Sequence, residues 1–136
     1  MAEITLTCRN SFGELPALSE KATQFLEEHG ASGPAVFAAN LAIEELVTNI
    51  VKYGYDDTDE HQIAVRLAIA DGVLELQIQD DGHEFNPFDQ PVPDTSLAAE
   101  ERDIGGLGIH FIRNMLDSYR HEHRDGCNIV TVTKKL

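Results

Sequence analysis

Glu45 and Asn49 lie four residues apart in a long apolar-periodic segment, Asp80-Asp81-Gly82 closes an alternating run, and Gly105-Gly106-Leu107-Gly108 opens a further helical pattern. Each block carries its own chemistry. A spacing of four puts an acid and an amide on one helical face. The Asn oxygen is a hard ligand suited to Mg2+, which completes its octahedron with phosphate oxygens and water, and Lys52 can meet the same phosphates as a point charge. Glu45, one turn earlier, is a candidate general base. Asp80 accepts hydrogen bonds only, so at a strand end facing a pocket it can accept from an exocyclic amine such as that of adenine, while Gly82 lets the backbone approach a ring. The glycine cluster offers unpaired N–H groups and the positive end of a helix dipole to an anion. Together the blocks point to a nucleotide site.

Separately, each block also has a plainer reading. Glu45 and Asn49 fit a solvated face with an i,i+4 hydrogen bond, Asp-x-Gly is a common turn, and the glycines would serve as a hinge. The cluster is not a Walker loop, because no Gly-Lys-Ser/Thr follows, and not a dinucleotide fingerprint, because no strand leads directly into it.

The elements that must carry these residues follow from periodicity. Ile4 to Arg9 alternates as a strand, and Phe12 to His29 reads as a helix closed by Gly30. Gly33 and Pro34 open a second helix that runs to about Tyr53 and ends near Gly54. On it Glu45, Asn49 and Lys52 cluster opposite Ile43, Leu46, Val47 and Ile50, so the polar stripe is expected to point away from the core. Asp56 to Glu60 is a polar loop. Ile63 to Ala70 and Val73 to Gln79 form a hairpin around Asp71-Gly72. Asn86 to Asp103 is a long loop of the kind that serves as a lid. Gly106 to Ser118 returns to helical spacing, and Tyr119 to Arg124 with Asn128 to Lys134 form a last pair of strands around Asp125-Gly126.

At 136 residues and 42% apolar content, the chain fits one domain with its own core. A formal charge of −14, with ten Lys and Arg scattered along the sequence, argues against nucleic acid or an anionic membrane surface and favours a protein partner. Cys8 and Cys127 lack metal-ligand spacing, and neither a signal peptide nor a run long enough to span a bilayer is evident, which fits two reduced thiols in a cytoplasmic protein. His121 and His123 share a strand face without an obvious third ligand, and His110 reads as a packing residue.

In this order and spacing the blocks resemble the GHKL ATP-binding superfamily, and within it the stand-alone anti-sigma-factor serine/threonine kinases of bacterial partner-switching circuits. Glu45 to Asn49 with Lys52-Tyr53-Gly54 is similar to the family's N box. Asp80 to Pro87 is similar to its first glycine box, and Gly106-Leu107-Gly108-Ile109 to its second. The resemblance spans essentially the whole chain, residues 1–136, as a single histidine-kinase-like ATPase domain. It implies an α+β, two-layer sandwich of the Bergerat type, with a mixed, mainly antiparallel sheet carrying three helices on one face. It further implies that Asn49 carries Mg2+, Glu45 activates the substrate hydroxyl, and Asp80 reads adenine. Residues 86–105 would be the ATP lid. Gly82, Gly105, Gly106, Leu107 and Gly108 would complete the ATP site, with Lys52 and Arg102 helping to compensate the triphosphate. One departure concerns the family's Gly-Thr-Thr before the last strand, whose threonine lies near adenine; here Gly126-Cys127-Asn128 occupies that neighbourhood. The lid is also acidic, with Asp89, Asp94, Glu100, Glu101 and Asp103 against Arg102 alone.

The expected function is ATP-Mg-dependent phosphorylation of a Ser or Thr on a small anti-sigma-factor antagonist, coupled to binding a sigma factor or another regulatory target, by a homodimer. The alternative is a nucleotide-gated binding module that does not transfer phosphate. A preceding dimerisation hairpin with a phosphorylatable His is absent from the chain, so autophosphorylating histidine-kinase activity is not expected. Chaperone-type or mismatch-repair-type ATPases would need further domains.

Overall fold

A computed structural model describes residues 2–89 and 106–136, with the side chains of Gly106, Leu107, Gly108 and His110 left undescribed. Along the chain run β1 (Ala2–Arg9), a 3-10 turn (Phe12–Glu14), α1 (Leu15–Glu28), α2 (Gly33–Tyr53), β2 (Gln62–Ala70), β3 (Val73–Asp80), a second 3-10 turn (Pro87–Asp89), α3 (Gly106–Met115), β4 (Ser118–Arg124) and β5 (Cys127–Lys135). The strands form one sheet of order β1-β2-β3-β5-β4. Every pairing is antiparallel, so the mainly antiparallel sheet has no parallel pair among the described residues.

Local chemistry accounts for the borders. Asp71 and Gly72, at φ 54° and 74°, and Asp125 and Gly126, at 54° and 77°, adopt the paired positive φ of a tight hairpin turn matched to the right-handed twist of its strands. Ser32 caps α2 by accepting from the Ala35 N–H at 3.3 Å, and Pro34 sits in the first turn where no intrahelical donor is needed. The first helix begins later than its periodicity suggests, because Phe12 to Glu14 is a separate 3-10 turn. The third ends at Met115 rather than Ser118, where Asp117 N–H instead donates to the Thr133 carbonyl and starts the β4–β5 edge.

Alternation along the strands sends one face into the core. Ile63, Val65 and Leu67 of β2, Leu74, Leu76 and Ile78 of β3, and Val130 and Val132 of β5 are buried against Leu18, Phe25 and Leu26 of α1, Ile43, Leu46, Val47 and Ile50 of α2, and Ile109 and Ile112 of α3. On the other face Arg66 bridges Glu3 and Glu75 across three strands at 2.9 and 3.1 Å. By length and composition α2 alone, among the described residues, is long and apolar enough to cross a membrane, which the sequence reading did not anticipate. Half of that stretch is buried within the fold, where it touches α1, α3, β3 and β5.

Candidate functional site

Two elements converge on one pocket. The last two turns of α2 bring Leu46, Asn49, Ile50 and the Gly54 cap, and the C-terminal end of β3 brings Asp80; Phe85 and Pro87 from the following loop and Asn128 and Val130 from β5 close it. Its wall is apolar except for three side chains, Asn49, Asp80 and Asn128, which are 6%, 5% and 2% exposed. That combination of apolar walls and a few convergent polar groups is typical of a small-molecule site.

Asn49 departs from the expected placement. The spacing places its stripe facing away from the core, yet it is buried: it sits about 100° from the centre of the helix's apolar arc, at its border, and lines a pocket shared with Phe85 and Pro87 of the loop after β3. That loop is tied down by the His83 N–H, which donates to the Gly54 carbonyl at 3.0 Å. The Asn49 Nδ2 is buried with no hydrogen-bond partner among the described residues. An orphaned buried donor costs about 1–3 kcal/mol, and a bound acceptor in the pocket would remove that cost.

Asp80 is held in one orientation. Its Oδ1 accepts from the Gly82 N–H at 2.9 Å and from Asn128 Nδ2 at 3.1 Å. Desolvation pushes its pKa up, while the bonds from Gly82 and Asn128 pull the other way. Gly82 is required by space rather than by backbone angle. A Cβ there would stand 2.1 Å from the Gly54 carbonyl oxygen and 3.0 Å from Asp80 Oδ1. We therefore expect Gly82→Ala to push the loop off α2 and destabilise the fold by about 1–3 kcal/mol, the usual range for overpacking. Urea unfolding checks this, and an unchanged midpoint would contradict the close approach.

Glu45 and Lys52 lie on the same side of α2, half-buried, but neither lines the pocket. Burial raises the Glu45 pKa, the neighbouring Glu44 raises it further, and Lys52 lowers it. Gly106, Leu107 and Gly108 form the first turn of α3. Arg102, Gly105 and nearly all of the expected lid fall outside the described residues, and the side chain of His110 does too.

Asn128 is the residue that the sequence left without a role. It lies opposite Asp80 in the β3–β5 register. Its Oδ1 accepts from the Phe85 N–H at 3.0 Å and faces His121 Nε2 at 2.8 Å, and its Nδ2 also donates to the His83 carbonyl at 2.7 Å. The only signal in the sequence was its place in the Gly-Cys-Asn departure before the last strand. His121 and His123 do share a face, where His123 lies 3.4 Å from Glu84.

Comparison with known proteins identifies the family of the chain. The Histidine kinase-like ATPase domain family matches residues 9–134. The Serine-protein kinase RsbW of Bacillus velezensis is 29% identical over 101 residues, covering 71% of this chain and 62% of that protein. RsbW of Listeria monocytogenes serotype 4a is 29% identical over 105 residues, with 74% and 67% covered. The Serine/threonine-protein kinase BtrW of Bordetella bronchiseptica is 27% identical over 99 residues, with 71% and 68% covered. The chain thus spans 62% of the length of the first of these relatives. A crystal structure of the RsbU and RsbW domains of a Mycobacterium tuberculosis protein superposes with a TM-score of 0.69 at 21% identity over 100% of this chain and 33% of that one, a likeness of fold. With the family matched over almost the whole sequence, the chain belongs to the histidine kinase-like ATPase domain family.

Proposed function

We propose that this chain binds ATP with Mg2+ and phosphorylates a Ser or Thr of a small anti-sigma-factor antagonist, alternating between that antagonist and a sigma factor or similar regulatory target. One observation carries the reading: the orphaned amide of Asn49 and the buried carboxylate of Asp80 line the same pocket. Membership of an ATPase domain family and relatives named as serine kinases support it.

The residues fit such a ligand. Asp80 would accept from the adenine amine, Gly82 would admit the ring, and Asn49 would hold the metal and phosphate end, ending the isolation of its amide. Bound Mg2+ would supply charge neutralisation of the triphosphate. Lys52 and the N–H groups of Gly106, Leu107 and Gly108 would face the same charge, with Arg102 and Gly105 assigned there by the family resemblance. Glu45 would take the proton from the partner's hydroxyl as its oxygen bonds to the γ-phosphorus and the bond to the β–γ bridging oxygen breaks, releasing ADP. The added phosphate brings about two negative charges to the antagonist, which this chain, at −14, would then repel. Action as a homodimer in the cytoplasm belongs to the same proposal.

Asn49→Ala is expected to keep the fold, since its Nδ2 has no bond to lose, and to weaken Mg-dependent ATP binding by about tenfold or more. Calorimetric titration decides; unchanged affinity in a folded variant would remove Asn49 from the site. The proposal as a whole is tested by capturing partners from the native host with and without ATP and searching them by mass spectrometry for a phosphorylated small protein. Finding none, with partners captured equally under both conditions, would count against it.

A further inference from the structure

Asn128 uses the full capacity of its side chain within the protein. An Asn amide accepts two hydrogen bonds and donates two. Here the oxygen serves Phe85 N–H and His121 Nε2, and the nitrogen serves Asp80 Oδ1 and the His83 carbonyl. This pattern fixes the amide's orientation, since its nitrogen faces two acceptors, and it requires the proton on Nε2 of His121. No valence is left for a ligand. Asp80 is the opposite case: its Oδ1 is taken by Gly82 and Asn128, and no described residue donates to its Oδ2.

We infer that Asn128, held by His121, is a positioning residue for base recognition: it engages Oδ1 of Asp80 and pins the loop at residues 83 and 85, so that Oδ2 is the oxygen presented to the base. The inference rests on the reading of Asp80 as the acceptor of the adenine amine. Asn128 does not touch the nucleotide. Together with the Gly82 N–H it settles which carboxylate oxygen is free and where that oxygen points, and His121 determines which way Asn128 is turned. A charge-assisted bond from Asn128 also helps keep the buried carboxylate ionised against its desolvation.

The test separates positioning of the acceptor from general support of the fold. ATP and purine riboside triphosphate, which lacks the 6-amino group, are titrated with Mg2+ into the full chain and its variants. The wild type is expected to prefer ATP by about tenfold, the scale of one charge-assisted hydrogen bond. In Asn128→Ala that preference should fall towards one through loss of ATP affinity, with the analogue little affected. His121→Phe should lower the preference in part, and His121→Gln, whose amide N–H can donate to the same oxygen, should restore it. Equal weakening of both nucleotides by Asn128→Ala, or none, would overturn the role of Asn128 and leave the role of Asp80 standing. Absence of any preference in the wild type would overturn the adenine reading of Asp80 itself, and this inference with it. Should Asn128→Ala not fold, the two His121 variants decide: a preference lost in Phe and recovered in Gln supports the inference, and equal preferences overturn it.

Discussion

Glu45→Gln is expected to lower phosphoryl transfer by about 10²–10⁴-fold, the usual contribution of a positioned general base, while leaving ATP and partner affinities within about twofold. The amide keeps the shape of the carboxylate and lacks its proton-accepting oxygen. Position favours this residue over its neighbour: Glu45 shares the helical side of Asn49 and is half-buried, whereas Glu44 lies about 100° round the helix and is exposed. The pH dependence has a definite sign. Burial holds the Glu45 carboxyl above the ordinary range, and a base acts only when ionised, so transfer should rise with pH through a midpoint above that of a free glutamate. A rate–pH profile of the wild type beside single-turnover rates for Glu45→Gln and Glu44→Gln checks both points. Undiminished transfer by Glu45→Gln would rule out the base.

Asp80→Asn is expected to weaken ATP and ADP alike by about 10²-fold, because a site built around a buried acceptor discriminates strongly when that acceptor becomes a donor. The geometry says which atom matters. Gly82 N–H and Asn128 Nδ2 would keep the amide oxygen at the Oδ1 position, leaving the new NH2 where the adenine amine must donate. Two donors would then face each other. Loss of ATP over GTP preference in the variant is the readout, and equal affinity of the wild type for ATP and GTP would contradict the assignment.

The sequence carried the fold well because two signals agreed in it. The Asp-Gly pairs at 71–72 and 125–126 can adopt the positive φ of tight hairpins, and the alternation on either side then sets the register. The site was legible as motifs but less so as geometry. Helical spacing alone put Asn49 on a polar stripe; its place in a pocket with β3, β5 and a loop more than thirty residues further along the chain, tied to Gly54, is encoded by no local pattern. Asn128 was harder still. Its role depends on facing Asp80 across a pairing of strands 48 residues apart, and an Asn in an apolar strand has no periodic signature. The aromatic pair Tyr53 and Phe85, 6.3 Å apart beside the pocket, was hidden for the same reason.

Phosphoryl transfer to a partner is the measurement that bears most directly on the proposed kinase. A small partner captured from the native host in the absence of ATP is purified and incubated with the chain and γ-labelled ATP. The account predicts label on a Ser or Thr of that partner with the wild type, and partner binding without label with Glu45→Gln. Tight binding of both Mg-ATP and the partner by the wild type, with no label transferred, would contradict it and leave a nucleotide-gated binding module in its place.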